Sequence, residues 1–418
     1  MTTRINRRSF LGASAAAGLG AFSLTKSAAG KATSAVEQTS QIAHTDGQRL
    51  DTVLYALAQS ALPVDHLATS KVTPTITITD SSIISNTQYH TPIEARVFAG
   101  TVKQNQGYIT DWNTGGPNSY VSGLYETPNV SYEWMTDGSQ CELTTVGRGG
   151  IGRILVDGVP VYGAYSQPAD GGVYRLTLDF GGSRAVRRIT LQTSYGFGLY
   201  YIVVGADDTF WQSPRQIGPR CIVMGDSFTE GTGAYFPCDG YPAIFGKTIG
   251  WEDTWASGSG GTGYLATGPQ GRYNFRQRVQ SDIIAHTPNI VIIAGGTNDG
   301  NSTAAQVQAE AILLYRQIRA GLPNVRLYAL SPWRPRPGVS YPPYYNVFNG
   351  IQAAAAAVPG TTFVDVSNYF SGSGYNGNPT GTGNCDYYIS ADGEHPSPAG
   401  HVYLGQRLAS DIAALQQF

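Results

Sequence analysis

The sequence predicts an α/β fold, a three-layer α/β/α unit around a five-stranded parallel sheet, preceded by an all-β domain of jelly-roll-like sandwich type. Two observations carry this expectation. Between about Thr73 and Trp211, short runs of alternating polar and apolar residues are punctuated by Gly, Pro, Asn and Asp, the pattern of antiparallel strands. Beyond the connector Pro214 to Pro219, apolar runs alternate with stretches of helical periodicity, the pattern of βα units. The expected domains are therefore 73–213 and 219–418.

Residues 1–29 are expected to stand outside the fold. Arg7-Arg8-Ser9-Phe10-Leu11 leads an apolar run, Leu11 to Leu24, that closes on Ser27-Ala28-Ala29, the layout of a twin-arginine export signal. Residues 30–72 read as a linker with one short helical element, Leu50 to Leu62. No later segment approaches the ~20 apolar residues of a spanning helix, so no membrane anchor is expected after cleavage, and export leads to a periplasmic or extracellular location. With 13% charged residues and a formal charge of −2, the chain lacks the basic excess that nucleic-acid binding requires.

Export also permits disulfides, and the cysteines are Cys141, Cys221, Cys238 and Cys385. Cys141 and Cys221 sit in apolar runs that equally suit buried thiols. Cys238 follows one motif described below and Cys385 precedes another, so the expected bridge joins Cys238 to Cys385.

In the first domain the strand-like runs are Thr75 to Thr79, Glu94 to Phe98, Ser131 to Trp134, Gln140 to Thr145, Arg153 to Val156, Tyr174 to Phe180, Arg187 to Thr193 and Tyr200 to Val204. Asp157-Gly158 marks a hairpin turn. In the second, strands are expected at Arg220 to Met224, Asp253 to Ala256, Asn289 to Ala294, Arg326 to Leu330 and Thr362 to Val366. Helices are expected near Tyr241 to Thr248, Gln277 to Ala285, Thr303 to Ala320, Tyr344 to Ala357 and Pro398 to Gln417, the third with Val307, Ala311, Leu314 and Ile318 on one stripe.

Three motifs fall just after strands or before the last helix. Gly225-Asp226-Ser227 follows the first strand and exposes a serine hydroxyl, which becomes a nucleophile only with a base and with donors for the oxyanion. Gly295-Gly296-Thr297-Asn298-Asp299 follows the third, where a neutral side-chain amide held by Asp299 suits an oxyanion; otherwise it is a turn into a helix capped by Asn301 or Ser302. Asp392-Gly393-Glu394-His395-Pro396 puts a carboxylate three residues before an imidazole, able to orient it through Nδ1. Of the other histidines, His401 lies inside the last helix and reads as a core or surface residue. Gly258-x-Gly260-x-x-Gly263 also matches a dinucleotide fingerprint, but Gly268, Pro269 and Gly271 leave no helix to face a pyrophosphate.

From Arg220 onward these blocks resemble the SGNH, or GDSL, hydrolase family. The resemblance implies Ser227 as nucleophile, His395 and Asp392 as base and acid, and Asn298 with the Ser227 N–H as oxyanion donors. From the glycine block it implies Gly261 as a further donor, with Gly260 as the alternative, and it requires neither metal nor cofactor. Phe228 stands where the family name has leucine. A sandwich ahead of such a domain resembles some carbohydrate esterases and implies an acetylated polysaccharide or oligosaccharide as substrate; Trp333, Tyr341, Tyr344 and Tyr345, with the glycine-rich stretch Ser371 to Cys385, would line the cleft. An esterase of small acyl or lipid esters, an acetyltransferase and a non-catalytic carbohydrate-binding protein are the alternatives.

Overall fold

The first and third strands of the second half are apolar without a break, which a strand tolerates only when both its faces are covered. In the computed structural model, which describes residues 73–100, 103–105, 108–110, 130–194, 197–338 and 344–415, they lie at the centre of a parallel sheet. Its strands are Cys221–Gly225 (β1), Thr254–Gly258 (β2), Ile290–Ala294 (β3), Arg326–Leu330 (β4) and Thr361–Val364 (β5), in the order β2-β1-β3-β4-β5. Along the chain follow the helices Ser227–Glu230 (α1), Tyr241–Ile249 (α2), Phe275–Asp282 (α3), Ala304–Gly321 (α4), Tyr344–Ala357 (α5), Cys385–Tyr388 (α6) and Pro398–Leu415 (α7).

Alternation along the strands divides the core in two. Ile222, Met224, Val291 and Ile293 pack with α3, α4 and α5, whereas Cys221, Val223, Ile290 and Ile292 pack with α2 and α7 on the other face. Each such side chain contributes roughly 1.5–3 kcal/mol on burial. In α4 the buried stripe is Val307, Ala311, Leu314, Tyr315 and Ile318, and the helix starts at Thr303, whose hydroxyl and Gln306 form a capping box; neither Asn301 nor Ser302 is the cap. The chain leaves β1 for the edge strand β2 and returns to β3, so a crevice opens between the carboxyl ends of β1 and β3.

The first half forms two antiparallel sheets. One runs Thr75–Thr79, Val173–Asp179, Gln140–Val146, Gly198–Gly205, Tyr108–Thr110, Lys103–Asn105, with Thr87–His90 also on Gly198–Gly205. The other runs Phe210–Gln212, Val130–Thr136, Arg187–Ser194, Ile151–Val156, Val159–Ser166, with Arg96–Phe98 also on Val130–Thr136. Both send side chains such as Leu143, Leu176, Tyr132 and Ile189 into one shared core, making a β-sandwich. Asp157 and Gly158 both have positive φ, 53° and 84°, as a type I′ hairpin requires.

Polar clamps join the sandwich to the α/β half. Arg153 donates from both terminal nitrogens to the carboxylate of Asp239, each at 2.9 Å. Arg215, in the connector, grips Glu133 of the sandwich and reaches Glu252 of the α/β half at 2.5 Å.

The cysteine expectation is corrected. Cys238 and Cys385 are not bridged; all four cysteines are buried thiols, and that of Cys385 donates to the Pro335 carbonyl at 2.9 Å. Burial pushes the Cys385 thiol up to about 12. The export signal, residues 1–29, and the Leu50 to Leu62 element lie outside the described residues. Among the described residues no helix is long and apolar enough to cross a membrane.

Candidate active site

The turn out of β1 is built from residues that only close packing explains. A Cβ on Gly225 would fall 1.9 Å from the Thr229 hydroxyl, and one on Gly258 would fall 2.1 Å from the Glu230 nitrogen. Glycine at both positions lets α1 begin directly on the ends of β1 and β2. Asp226 caps α1 by accepting from the Phe228 N–H at 3.0 Å, and Ser227 occupies its first turn. Buried Arg278 fastens the floor, donating to the carbonyls of Gly225 at 2.5 Å and Ser257 at 2.9 Å.

The loop before α7 brings the imidazole across. His395 Nδ1–H donates to Asp392 at 2.7 Å, which leaves Nε2 to accept from the Ser227 hydroxyl at 2.8 Å. Partial burial raises the Asp392 carboxyl, but donors from Ser390, the Glu394 N–H and His395 outweigh it and hold the group down to about 2. Asp392 is thus a carboxylate throughout the physiological range. His401, six residues on, is wholly buried: it accepts from the Tyr241 N–H at 3.2 Å and donates to the Thr232 carbonyl at 3.0 Å. Burial lowers it to about 4, so it is a neutral core residue.

Asn298 lies on the turn after β3. Its amide donates to the Thr262 carbonyl at 2.9 Å, which fixes the side chain and leaves the second N–H to another acceptor. Asp299, expected to hold Asn298, instead accepts from the N–H groups of Tyr264, Leu265 and Ala266 at 2.7, 2.9 and 2.8 Å. Together the two residues pin the 262–266 loop beside β3.

The glycines of the second block differ in what they face. The Cβ position of Gly260 lies 3.6 Å from the Ser227 Cβ, while that of Gly261 faces Pro269 and Gly268. The Cβ position of Gly260, the alternative donor, thus lies within 4 Å of Ser227, and that of Gly261 does not. Arg272 fixes this turn by donating to the Gly260 carbonyl at 2.7 Å. Neither Arg272 nor Arg278 bears on the motifs from sequence alone; an arginine among polar helix residues carries no signal of what it will grip.

Of the aromatic residues expected to line a cleft, Trp333 is 1% exposed and stacks on Phe228 at 6.0 Å with Tyr241 edge-on at 5.2 Å. It is a plug beneath the site and not an exposed platform. Tyr344 is also buried, its hydroxyl donating to the Pro332 carbonyl at 3.2 Å. Tyr345 is exposed, and Tyr341 lies outside the described residues. A cavity of about 240 Å³ opens beside Asn298, lined by Thr297, Asn298, Arg334, Tyr344 and Val347 and walled by Trp333. The glycine-rich stretch Ser371 to Cys385 does not line it; that stretch is held by Asp386 just beyond it, which accepts from the N–H groups of Thr380 and Gly381.

A parallel sheet of this order with helices on both faces fits the SGNH α/β fold. Residues 223–403 match the family model described as the GDSL-like Lipase/Acylhydrolase family, and the chain carries a domain of that family. No curated protein matches the chain. Among solved structures, a salicylyl-acyltransferase from a tetracycline biosynthetic pathway is similar at 16% identity and TM-score 0.61, over 80% of this chain and 99% of that one. An acetyl xylan esterase from the rumen bacterium Butyrivibrio proteoclasticus follows at 14% and 0.54, over 80% and 99%. A family two carbohydrate esterase from Clostridium thermocellum in complex with cellohexaose is similar at 14% and 0.55, over 77% and 99%. At these identities the likeness is one of fold, and it spans the sandwich as well as the α/β half.

Proposed function

We propose that the protein is an exported serine esterase that removes O-acetyl groups from a polysaccharide. The observation that carries the reading is the hydrogen-bonded line from Asp392 through His395 to Ser227, at 2.7 and 2.8 Å, at the mouth of the β1–β3 crevice. Ser227 attacks the ester carbonyl as its proton passes to His395 Nε2, and Asp392 stabilises the imidazolium that forms. The N–H groups of Ser227 and Gly260 and the second amide hydrogen of Asn298 receive the oxyanion. The sugar alcohol leaves with the proton from His395; a water, activated by the same imidazole, then releases acetate from the acyl-enzyme. The twin-arginine motif at Arg7-Arg8 supports export.

A sugar substrate is supported by the carbohydrate esterases among the structural neighbours. The acyltransferase neighbour favours a second reading, transfer of the acyl group to another alcohol in place of water. The test compares acetate release from acetylated xylan with hydrolysis of p-nitrophenyl acetate and of a long-chain ester, for wild type and Ser227→Ala. Serine-dependent release from xylan with the long ester untouched is expected. Normal turnover by Ser227→Ala would overturn the mechanism, preference for the long ester would move the substrate to lipids, and acyl appearing on an added alcohol would make it a transferase.

A further inference from the structure

The segment that leaves β4 reads Pro332-Trp333-Arg334-Pro335-Arg336-Pro337, two arginines held between prolines. Prolines restrict the backbone, so both side chains start from a stiff support. The Arg334 guanidinium lies over the rings of Tyr344 and Tyr345 at 5.2 and 5.5 Å, in the wall of the cavity beside Asn298. One of its terminal nitrogens donates to the Pro337 carbonyl at 3.1 Å. Arg336 lies over Tyr375 at 5.1 Å and against the acid-base turn: a Cβ on Gly393 would come 3.5 Å from its guanidinium carbon.

The pair differs from most arginines of the same half in having no acid beside it; Arg319, also half-buried and without an acid, is instead held by the carbonyls of Pro323, Val325 and Gly360. Arg220, Arg272, Arg276, Arg278 and Arg407 of the same half each reach a carboxylate within 4.0 Å. Among the described residues, neither Arg334 nor Arg336 does, although both are half-buried and the Nε of each is enclosed without a hydrogen-bond partner. A partly desolvated guanidinium ordinarily acquires an anionic partner, because its charge loses water on burial. Here tyrosine faces hold the two forks, Arg334 in the wall of the cavity that Asn298 also lines and Arg336 against Gly393, between Asp392 and His395. Such preorganised forks match carboxylates in bidentate geometry.

We infer that the substrate is a carboxylate-bearing ester, and that Arg334 and Arg336 are its specificity-determining residues. This rests on the esterase reading and names the substrate class of the same site. The carboxylate can belong to the polymer, as in an acetylated uronate polysaccharide, or to the acyl group, as in a hemisuccinate, and the test separates these.

Acetate release is measured on acetylated pectin and on the same polymer after its carboxyl groups are reduced to alcohols. In parallel, p-nitrophenyl hemisuccinate is compared with p-nitrophenyl acetate, for wild type, Arg334→Gln, Arg336→Gln and Arg334→Lys. Wild type is expected to favour one charged substrate over its neutral partner by roughly 10-fold or more in kcat/KM, and added salt should shrink the ratio. Either glutamine variant should lower that ratio mainly through KM, with Arg334→Lys retaining part of it. Preference for native pectin assigns the carboxylate to the sugar, and preference for the hemisuccinate assigns it to the acyl group. Equal rates for wild type on charged and neutral partners would overturn the inference while leaving the esterase intact; no turnover of any ester would instead remove the esterase reading beneath it.

Discussion

The two halves of the molecule handle buried charge in opposite ways. In the sandwich, charged groups lie along the strands themselves. Glu133 sits between the core residues Tyr132 and Trp134, so it faces away from the sandwich core, yet it is fully buried because Arg215 of the connector covers it. Arg187, 1% exposed, stacks over Phe180 at 4.0 Å and donates to the Gly138 carbonyl at 3.0 Å. In the parallel sheet, β1 and β3 are apolar throughout, and the polar groups gather past the strand ends: Asp226 and Ser227 after one, Asn298 and Asp299 after the other. Polar groups along a strand hold the protein together; of those beyond the strand ends, Asp226 and Asp299 fix turns, while Asn298 keeps an N–H and Ser227 a hydroxyl for chemistry. The halves should therefore respond differently to substitution, one in stability and the other in turnover.

Asp392→Asn tests this hardest. The amide cannot hold the imidazole in the tautomer that leaves Nε2 open to the serine, so kcat should fall roughly 10⁴-fold in steady-state assays, far more than any accompanying loss of stability explains. Glu133→Ala tests the other half. It removes the buried carboxylate that Arg215 and Arg188 share, leaving Arg215 paired with Glu252 alone, and should cost about 3–5 kcal/mol in denaturant unfolding, with kcat per folded molecule preserved. A large loss of kcat without loss of stability in Glu133→Ala would break the division.

His401 sharpens it, since it stands in the α/β half but serves the core. Its folded value of about 4 lies below the ordinary ~6.5 of an unfolded chain, so the unfolded state binds the proton more readily. Its contribution is complete above about pH 6.5 and disappears as the pH falls to about 4, at most roughly 3 kcal/mol. Asp392, held near 2, loses its contribution only below that window. Melting temperature against pH should thus fall between 6.5 and 4 in wild type and less steeply in His401→Gln. The smallest effect expected is that of Asn298→Ala, a drop of about 100-fold in kcat, near 2.7 kcal/mol, with KM little changed.

The site was legible where chemistry dictates both residue type and position. A serine, an amide and an Asp-His pair, all beyond predicted strand ends, could be read from Ser227, Asn298, Asp392 and His395 because their neighbours were apolar runs of recognisable length. The long elements were legible for the same reason: Tyr344–Ala357 and Arg326–Leu330 fall where periodicity puts them. The failures concern residues whose meaning lies in three dimensions. Gly258, Gly260, Gly261 and Gly263 have no side chains to tell them apart, and only the approach of Ser227 singles out Gly260. Trp333 on a proline-rich loop suits a platform and a plug equally until Phe228 and Tyr241 are seen against it. Cys385 looked ready for a bridge, but Pro335 takes its thiol. Thr87–His90 and Lys103–Asn105 are too short and polar to announce themselves as strands; their partners make them so.

The serine and the imidazole that meets it are separated by 168 positions, whereas the imidazole and its carboxylate are separated by three. The growing chain thus makes the hydroxyl first and the imidazole 168 positions later, close behind the carboxylate that orients it. Until the final helix seats, the serine is an ordinary alcohol on a finished strand. A chain truncated ahead of Asp392 would keep the five strands of the parallel sheet and lose both the imidazole and its carboxylate.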